Sequence, residues 1–244
     1  MRFAKSALLL VLFTAAVHAD DRRYAVLSLA ADKLLIAQYN ITTGSRLDRN
    51  ARQFVTLPDD GLERAILRTV DQAIRRVEPG AKPELLATED PALRALADAG
   101  MESSKMDALI PQVRAQVPAG SATHLILVTK HRAEGRTRFA SSTGGTGAFE
   151  GLGFYIDRVK RVRNARTGEV TTGYIAPFAY LRFTLVDLGT GTVLKTREET
   201  LSTVTASQAA DTPWEALTGA QKVGFLQALA REAAGQAIAE LLAP

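Results

Sequence analysis

Hydrophobic and polar positions along the chain fall into blocks whose period changes. Residues 24–30 (YAVLSLA) and 33–39 (KLLIAQY) are β-rich apolar runs, predicting two strands with a tight turn around Ala31 and Asp32. A polar stretch over 42–50 leads to a short strand over 52–57. After Pro58, Asp59 and Asp60 the pattern switches to a helical period. Leu62, Ala65, Ile66, Thr69, Val70, Ala73, Ile74 and Val77 make one stripe, with Arg64, Arg68, Asp71 and Arg75 off it, and Pro79-Gly80 ends the helix. A strand over 84–88, a helix opened by Asp90-Pro91 and running to Ala99, and a less regular helix over 104–117 containing Pro111 follow.

The second half is mostly β. Residues 123–129 (THLILVT) form a nearly continuous apolar run, the pattern of an interior strand covered on both faces. Strands are expected over 154–162, 174–186 and 192–205, with a loop over 164–169 and a hairpin turn at 187–191 (DLGTG). Alternation divides 174–186 into an apolar face (Ile175, Ala179, Leu181, Phe183, Leu185) and an aromatic one (Tyr174, Phe178, Tyr180) shared with Arg182 and Thr184. The aromatic face reads as a second core layer. A last helix over 219–242 carries Val223, Leu226, Ala230, Ala233, Ala237 and Leu241 as its stripe. The order β-β-β-α-β-α-α-β-β-β-β-α predicts one α+β domain, a largely antiparallel mixed sheet with helices packed on one face. A seam between two subdomains near 118–121 is the alternative.

The first 19 residues stand apart. Arg2 and Lys5 precede an apolar run from Ala7 to Val17, and Val17-His18-Ala19 is a small-x-small cleavage site before Asp20. This predicts a signal peptide over 1–19 and a mature domain over 20–244, periplasmic or secreted. The run is about half of the roughly 20 residues that span a bilayer, so no transmembrane segment is expected in the mature chain. Asp20 stands where a lipoprotein needs cysteine. With no cysteine anywhere, disulfides, thiol nucleophiles and cysteine metal sites are excluded. The 22 arginines against 8 lysines point to a bacterial source. Losing Arg2 and Lys5 takes the formal charge from +4 to +2, too little for binding nucleic acid through bulk charge. The formal sequon at Asn40-Ile41-Thr42 matters only in a eukaryotic host.

Two neighbouring segments carry the chemistry that the sequence offers. Residues 141–153 are glycine-rich, with Gly144, Gly145, Gly147, Gly151 and Gly153; such a loop can adapt its shape or cradle an anion. It is no dinucleotide fingerprint, because a strand follows it and Glu150 occupies the third glycine position. Beyond it lie Arg158, Lys160, Arg161 and Arg163, then Arg166. Alternation places Arg158 and Lys160 with Val162, and Arg161 and Arg163 with Val159. Such charges either guard an edge strand or meet anionic headgroups, an acidic protein or a glycan. No aromatic residue is interleaved for stacking bases, so nucleic acid is not expected as a partner.

Catalytic sets are sparse. His124 and His131 are seven apart, which points them to opposite faces of one strand, and neither a metal site nor a cofactor is expected. Asp59, Asp60, Glu89 and Asp90 are helix-start residues. Asp48, Glu150 and Asp157 remain as acids without such a local explanation. The expectation is therefore a non-enzymatic binding or assembly factor using the glycine-rich loop and basic hairpin toward an envelope protein or an anionic envelope component. The alternative is a periplasmic hydrolase using carboxylates under a glycine-hinged lid.

Residues 119–242 combine an apolar strand after a Gly-Ser-Ala-Thr lead-in, the hairpin phrase 185–194 (LVDLGTGTVL) and an alanine-rich last helix. In this the chain resembles the α+β envelope domains of the curli-secretion lipoproteins and the amino-terminal domain of the Tol-system periplasmic protein. The resemblance implies envelope assembly or protein interaction and transfers no catalytic residue. Residues 24–29 and 43–50 also resemble an exported bacterial family to which no activity attaches.

Overall fold

The computed structural model describes residues 22–40, 50–99, 106–139, 143–163, 168, 170–206 and 212–243. The leader, Asp48, Ile41, Thr42 and Arg166 lie outside them. The elements are β1 (Tyr24–Ser28), β2 (Lys33–Tyr39), β3 (Asn50–Thr56), α1 (Gly61–Val77), β4 (Glu84–Leu86), α2 (Pro91–Ala99) and α3 (Met106–Arg114). Then follow β5 (His124–Lys130), β6 (Arg132–Glu134), β7 (Thr137–Arg138), β8 (Thr143–Gly144), β9 (Ala148–Arg163), β10 (Val170–Asp187), β11 (Val193–Ser202), β12 (Thr205–Ala206) and α4 (Gly219–Leu241). The long elements appear in the expected order, and the protein is α+β with a mixed sheet flanked by helices.

The sheet has two halves that share β10. One runs β4–β1–β5–β10, the other β3–β2–β9–β10, and β11 and β12 line the opposite edge of β10. The change of partner along β10 occurs at His131. Its N–H donates to the Tyr180 carbonyl at 2.9 Å, and its carbonyl accepts from Gly151 N–H at 3.2 Å. Below this point β10 pairs with β5, above it with β9. The pairs β1–β4, β1–β5 and β2–β9 are parallel; β2–β3, β5–β10, β9–β10 and β10–β11 are antiparallel.

β1 and β2 do not form the hairpin that a tight turn at Ala31-Asp32 implies. β1 lies on β5, and β2 lies on β9 in the other half. The chain can cross between halves because the amides it frees find a partner: the buried Glu63 carboxylate of α1 accepts from Ala30 N at 3.3 Å and Ala31 N at 3.0 Å. A buried N–H without a partner would cost about 1–3 kcal/mol. Glu63 looks like a wet first-turn residue in sequence, yet it is buried to hold this crossing.

Alternation in β10 builds both faces of the core. Ile175, Ala179, Leu181, Phe183 and Leu185 pack with Val26, Ile126, Val128, Ile66, Val70, Ile74 and the alanines of α4. Ala230, Ala233, Ala234 and Ala237 let α4 sit close to the sheet and to α1. α1 and α4 thus share one face, but the helices do not all pack there as the sequence predicts: α2 and α3 cover the other face, where Leu93, Ala97, Leu109, Ile110 and Val113 meet Leu27, Leu125, Leu127 and Val186. β5, apolar on both sides, requires both covers. α4 opens with a capping box, Gln221 N–H to Thr218 Oγ1 at 3.2 Å and Thr218 N–H to Gln221 Oε1 at 2.8 Å. Val223, expected in its stripe, is 48% exposed; Leu229 and Ile238 are buried instead.

Tyr155, Tyr174, Phe178, Tyr180 and Phe149 form a third cluster beside the one under α2 and α3. It is the expected second core layer, with Phe149 stacked on Phe178 at 4.5 Å between centroids. Among the described residues no helix covers it; residues 132–139 do, bringing Ala133 and Phe139 onto the rings.

Gly153 sits where β2 crosses β9. A Cβ there would lie 2.0 Å from the Leu35 carbonyl oxygen and 2.6 Å from the Phe178 ring. Gly153→Ala is expected to cost at least about 2 kcal/mol through overpacking, read as a lower urea midpoint. Gly224, exposed in α4 with nothing near its Cβ position, is the counter-case. Gly224→Ala should raise stability by up to about 1 kcal/mol.

Candidate functional site

The basic segment forms the end of a two-stranded arm. β2 pairs with β9 only from Leu35–Gly153 to Gln38–Ile156, and β12 pairs with β10 only at Tyr174 and Ile175. Past these, β9 and β10 have only each other among the described strands: Arg161 opposes Thr172, Val162 opposes Thr171, and Arg163 opposes Val170. The arm begins at a bulge. The buried Asp157 carboxylate accepts from Val159 N and Lys160 N, both at 2.8 Å, and residues 158–160 oppose the single Gly173. Gly173 takes φ +86°, a conformation that favours glycine.

Arg158, Arg161 and Arg163 are exposed, and none forms an ion pair among the described residues. Arg75 pairs with Asp71, Arg94 with Glu63, Arg182 with Glu198 and Arg197 with Glu240, whereas Arg68, Arg76, Arg138 and Arg231 are exposed outside any such pair; what sets the arm apart is three such groups within six residues of one strand. Val159 (51% exposed) and Val170 (43%) lie among the arm's free guanidinium groups. Lys160 differs from its neighbours. Its ammonium sits over the Phe139 ring, 4.5 Å from the centroid, so it helps fasten residues 132–139 to the body. Val162 also turns inward, to the aromatic layer, leaving Arg161 and Arg163 on the other side as alternation requires.

The glycines serve close packing. Gly135 N–H donates to the Gly147 carbonyl at 2.8 Å, and a Cβ on Gly144 would meet Phe139 at 2.6 Å and Lys160 Nζ at 2.7 Å. Gly145, Gly147 and Gly151 take φ values of +90°, +75° and +61°. Gly151 and Gly153 belong to β9 itself and are buried, where the sequence pattern places them in a loop; β9 begins at Ala148 because Phe149 has an aromatic layer to join. The segment is pinned to that layer: Tyr180 Oη donates to the Glu134 carbonyl at 3.1 Å and accepts from Arg136 N at 3.0 Å, and Tyr174 Oη shares a hydrogen bond with Thr137 Oγ1 at 3.1 Å. Burial pushes the Tyr174 phenol up to about 12 and also raises Tyr155 and Tyr180, so all three stay neutral.

Asp48 lies outside the described residues, and the other two candidate acids do not converge. Glu150 is buried and paired with Arg52 at 2.5 Å and Arg132 at 3.8 Å. Asp157 supports the bulge seven residues further along β9, roughly 20 Å away at strand rise. His124 meets Thr123 Oγ1 at 2.9 Å; His131 lies 3.4 Å from Glu198. Burial holds the His131 imidazole below its usual value despite that carboxylate, and Arg182 lowers it further. Among the described residues no three His, Asp or Glu side chains gather as metal ligands. Two open clefts, of about 560 and 670 Å3, flank Arg114 at the β10–β11 turn. Arg114 Nη2 donates to the Gly189 carbonyl at 2.9 Å, and Asp187 accepts from Thr190 N at 2.7 Å.

A charge cluster at the crossing between sheet halves has no periodic signature. Lys130, 4% exposed, reaches Asp32 at 2.5 Å and Asp98 at 2.7 Å, and Lys33 meets Asp98 at 2.5 Å. A lysine directly after the apolar run 123–129 is the one sequence signal that marks it.

No family model matches the chain, and no curated protein matches it significantly. Solved structures are similar at low identity. The PelC dodecamer from Paraburkholderia phytofirmans is 11% identical over 91% of this chain and 89% of that chain, with a TM-score of 0.34. A putative neuraminyllactose-binding hemagglutinin homolog from Helicobacter pylori is 8% identical over 91% and 87%, with a TM-score of 0.39. A hypothetical protein from Chlamydia trachomatis is 12% identical over 88% and 95%, with a TM-score of 0.33.

The Lys130 cluster has a pH signature. Burial alone would raise the Asp98 carboxyl, but hydrogen bonds and charge from Lys130 and Lys33 outweigh it and hold Asp98 below the usual range. Its contribution to stability is complete above the free carboxylate value near about 3.9 and is lost as pH falls through the lower folded value. Asp98→Asn should flatten the fall of the urea midpoint below about pH 4. Lys130→Met should cost about 2–4 kcal/mol at pH 7 by stranding Asp32 and leaving Asp98 to Lys33 alone, again read by urea unfolding.

Proposed function

We propose that this protein is an exported, non-enzymatic binding or assembly factor that meets an anionic component of the bacterial envelope through its β9–β10 arm. The observation that carries the reading is the set Arg158, Arg161 and Arg163: three exposed cations without acidic partners among the described residues, on an arm that no other described strand flanks. Unmatched guanidinium groups are attracted to phosphate and carboxylate, and the exposed Val159 and Val170 add apolar contact beside them. The leader pattern and the resemblance of residues 119–242 to envelope domains favour the setting. No helix among the described residues is long and apolar enough to cross a membrane. Of the acids in the hydrolase reading, Asp48 lies outside the described residues, while Glu150 and Asp157 sit far apart and each is engaged.

Lys160 and the glycines act in this reading as the mount. The pinned residues 132–139 fix the base of the arm, while the arginines make the contact.

The test uses the mature chain and its Arg158→Glu, Arg161→Glu, Arg163→Glu triple variant. Binding to vesicles containing phosphatidylglycerol is compared with binding to neutral vesicles, alongside capture from an envelope extract. Each cation near an anionic surface is worth about 1 kcal/mol, so the variant should bind anionic vesicles at least roughly 100-fold more weakly with unchanged thermal unfolding. Loss of an extract protein with no vesicle effect would move the partner from lipid to acidic protein; equal behaviour of both forms in both assays would remove the arm's role.

A further inference from the structure

The sheet ends in two long outer strands that are defended unequally. β11 carries Lys195, Arg197, Glu198 and Glu199 along its exposed length, the usual protection against an incoming strand. β4, at the far end, is only three residues long. β3 is different. Its seven residues (NARQFVT) keep an unbroken register with β2 from Lys33–Thr56 to Tyr39–Asn50, and no described strand pairs with its outer edge. It contains neither proline nor lysine nor a bulge, and every residue after Asn50 is exposed, with Phe54 at 46% and Val55 at 37%. Its one charge, Arg52, is drawn inward to Glu150 at 2.5 Å. Every second residue of such a strand aims its N–H and C=O away from β2, ready for another ladder.

We infer that β3 is the interface between two copies of this chain, joined as an antiparallel β3–β3 pair about a two-fold axis at Gln53. The side chains of β3 are complementary to themselves in this register. With Gln53 facing its own copy, all of β3 is used: Ala51 lies opposite Val55, Asn50 opposite Thr56, and Arg52 opposite Phe54 of the second copy. Arg52 and Lys33 already flank the Phe54 ring at 5.5 and 5.4 Å from its centroid, so a guanidinium beside this ring is a contact the strand makes within one copy. Centring on Arg52 would set two guanidinium groups face to face, and centring on Phe54 would shorten the ladder. An axis normal to the sheet keeps α1 and α4 of both copies on one side and makes the interface isologous and closed. The result is one sheet continuous through two molecules, with an arm carried by each.

The chain's lack of cysteine makes the test direct. Sedimentation equilibrium of the mature protein from about 5 to 200 µM should show a monomer–dimer equilibrium. Gln53→Cys should give a disulfide-linked dimer on mild oxidation, since facing Cα atoms about 4.5–5.5 Å apart suit a disulfide, whereas Thr196→Cys on β11 should not. Phe54→Glu should weaken self-association at least tenfold while leaving the thermal midpoint of the monomer unchanged, because Phe54 lies outside the core clusters. A wild-type chain that stays monomeric over this range would overturn the interface, as would a Gln53→Cys variant that cross-links no faster than the Thr196→Cys one. Capture of an unrelated strand-forming protein by β3 without self-association would overturn it equally.

Discussion

The structure depends on one strand being buried on both sides. β10 is buried without interruption from Gly173 to Val186, and no other described strand is covered over such a length. A strand in that position needs two roofs. The apolar face receives α1 and α4; the other is shared by α2 with α3 and by residues 132–139. Both half-sheets exist because β10 is too long for one neighbour, so β5 serves its second half and β9 its first. The polar groups between the two roofs, Arg182, His131 and the Lys130 cluster, mark where neither roof reaches and charges must satisfy one another.

Much of this is legible in the residues. The two-faced pattern over 174–186 already divides the core into an aliphatic and an aromatic layer, and the run 123–129 already requires cover on both sides. α2 opens at Pro91 as its residues predict, with Asp90 Oδ1 accepting from Ala92 N at 2.9 Å. The register of the hairpin around Asp187 also follows from its turn residues, where Thr190 closes onto the Asp187 carboxylate. Period and turn chemistry are local, and these features are too.

What stays hidden depends on distant partners. Nothing near Ala31 says that the chain changes half-sheet there, because the deciding group, Glu63, lies on a helix more than thirty residues away and is buried in spite of its charge. The glycines over 144–153 look like freedom in the sequence; Gly144, Gly151 and Gly153 are instead places where another atom comes close, a fact that Phe139, Lys130 and Leu35 decide. The four basic residues after Asp157 form one group by spacing, yet Lys160 belongs to the body and the three arginines to the solvent. Asp157 itself, an acid that invites a catalytic reading, is spent on two backbone amides.

The bulge at Asp157 has a consequence for how this protein can change over time. It closes the ladder on the body side and starts a fresh one on the other, so hydrogen-bond register is not transmitted across it. Insertions, deletions or swapped side chains beyond Val162 would leave the alternation inside the core untouched. The outermost hairpin can therefore drift to suit a different surface while the scaffold that presents it stays the same.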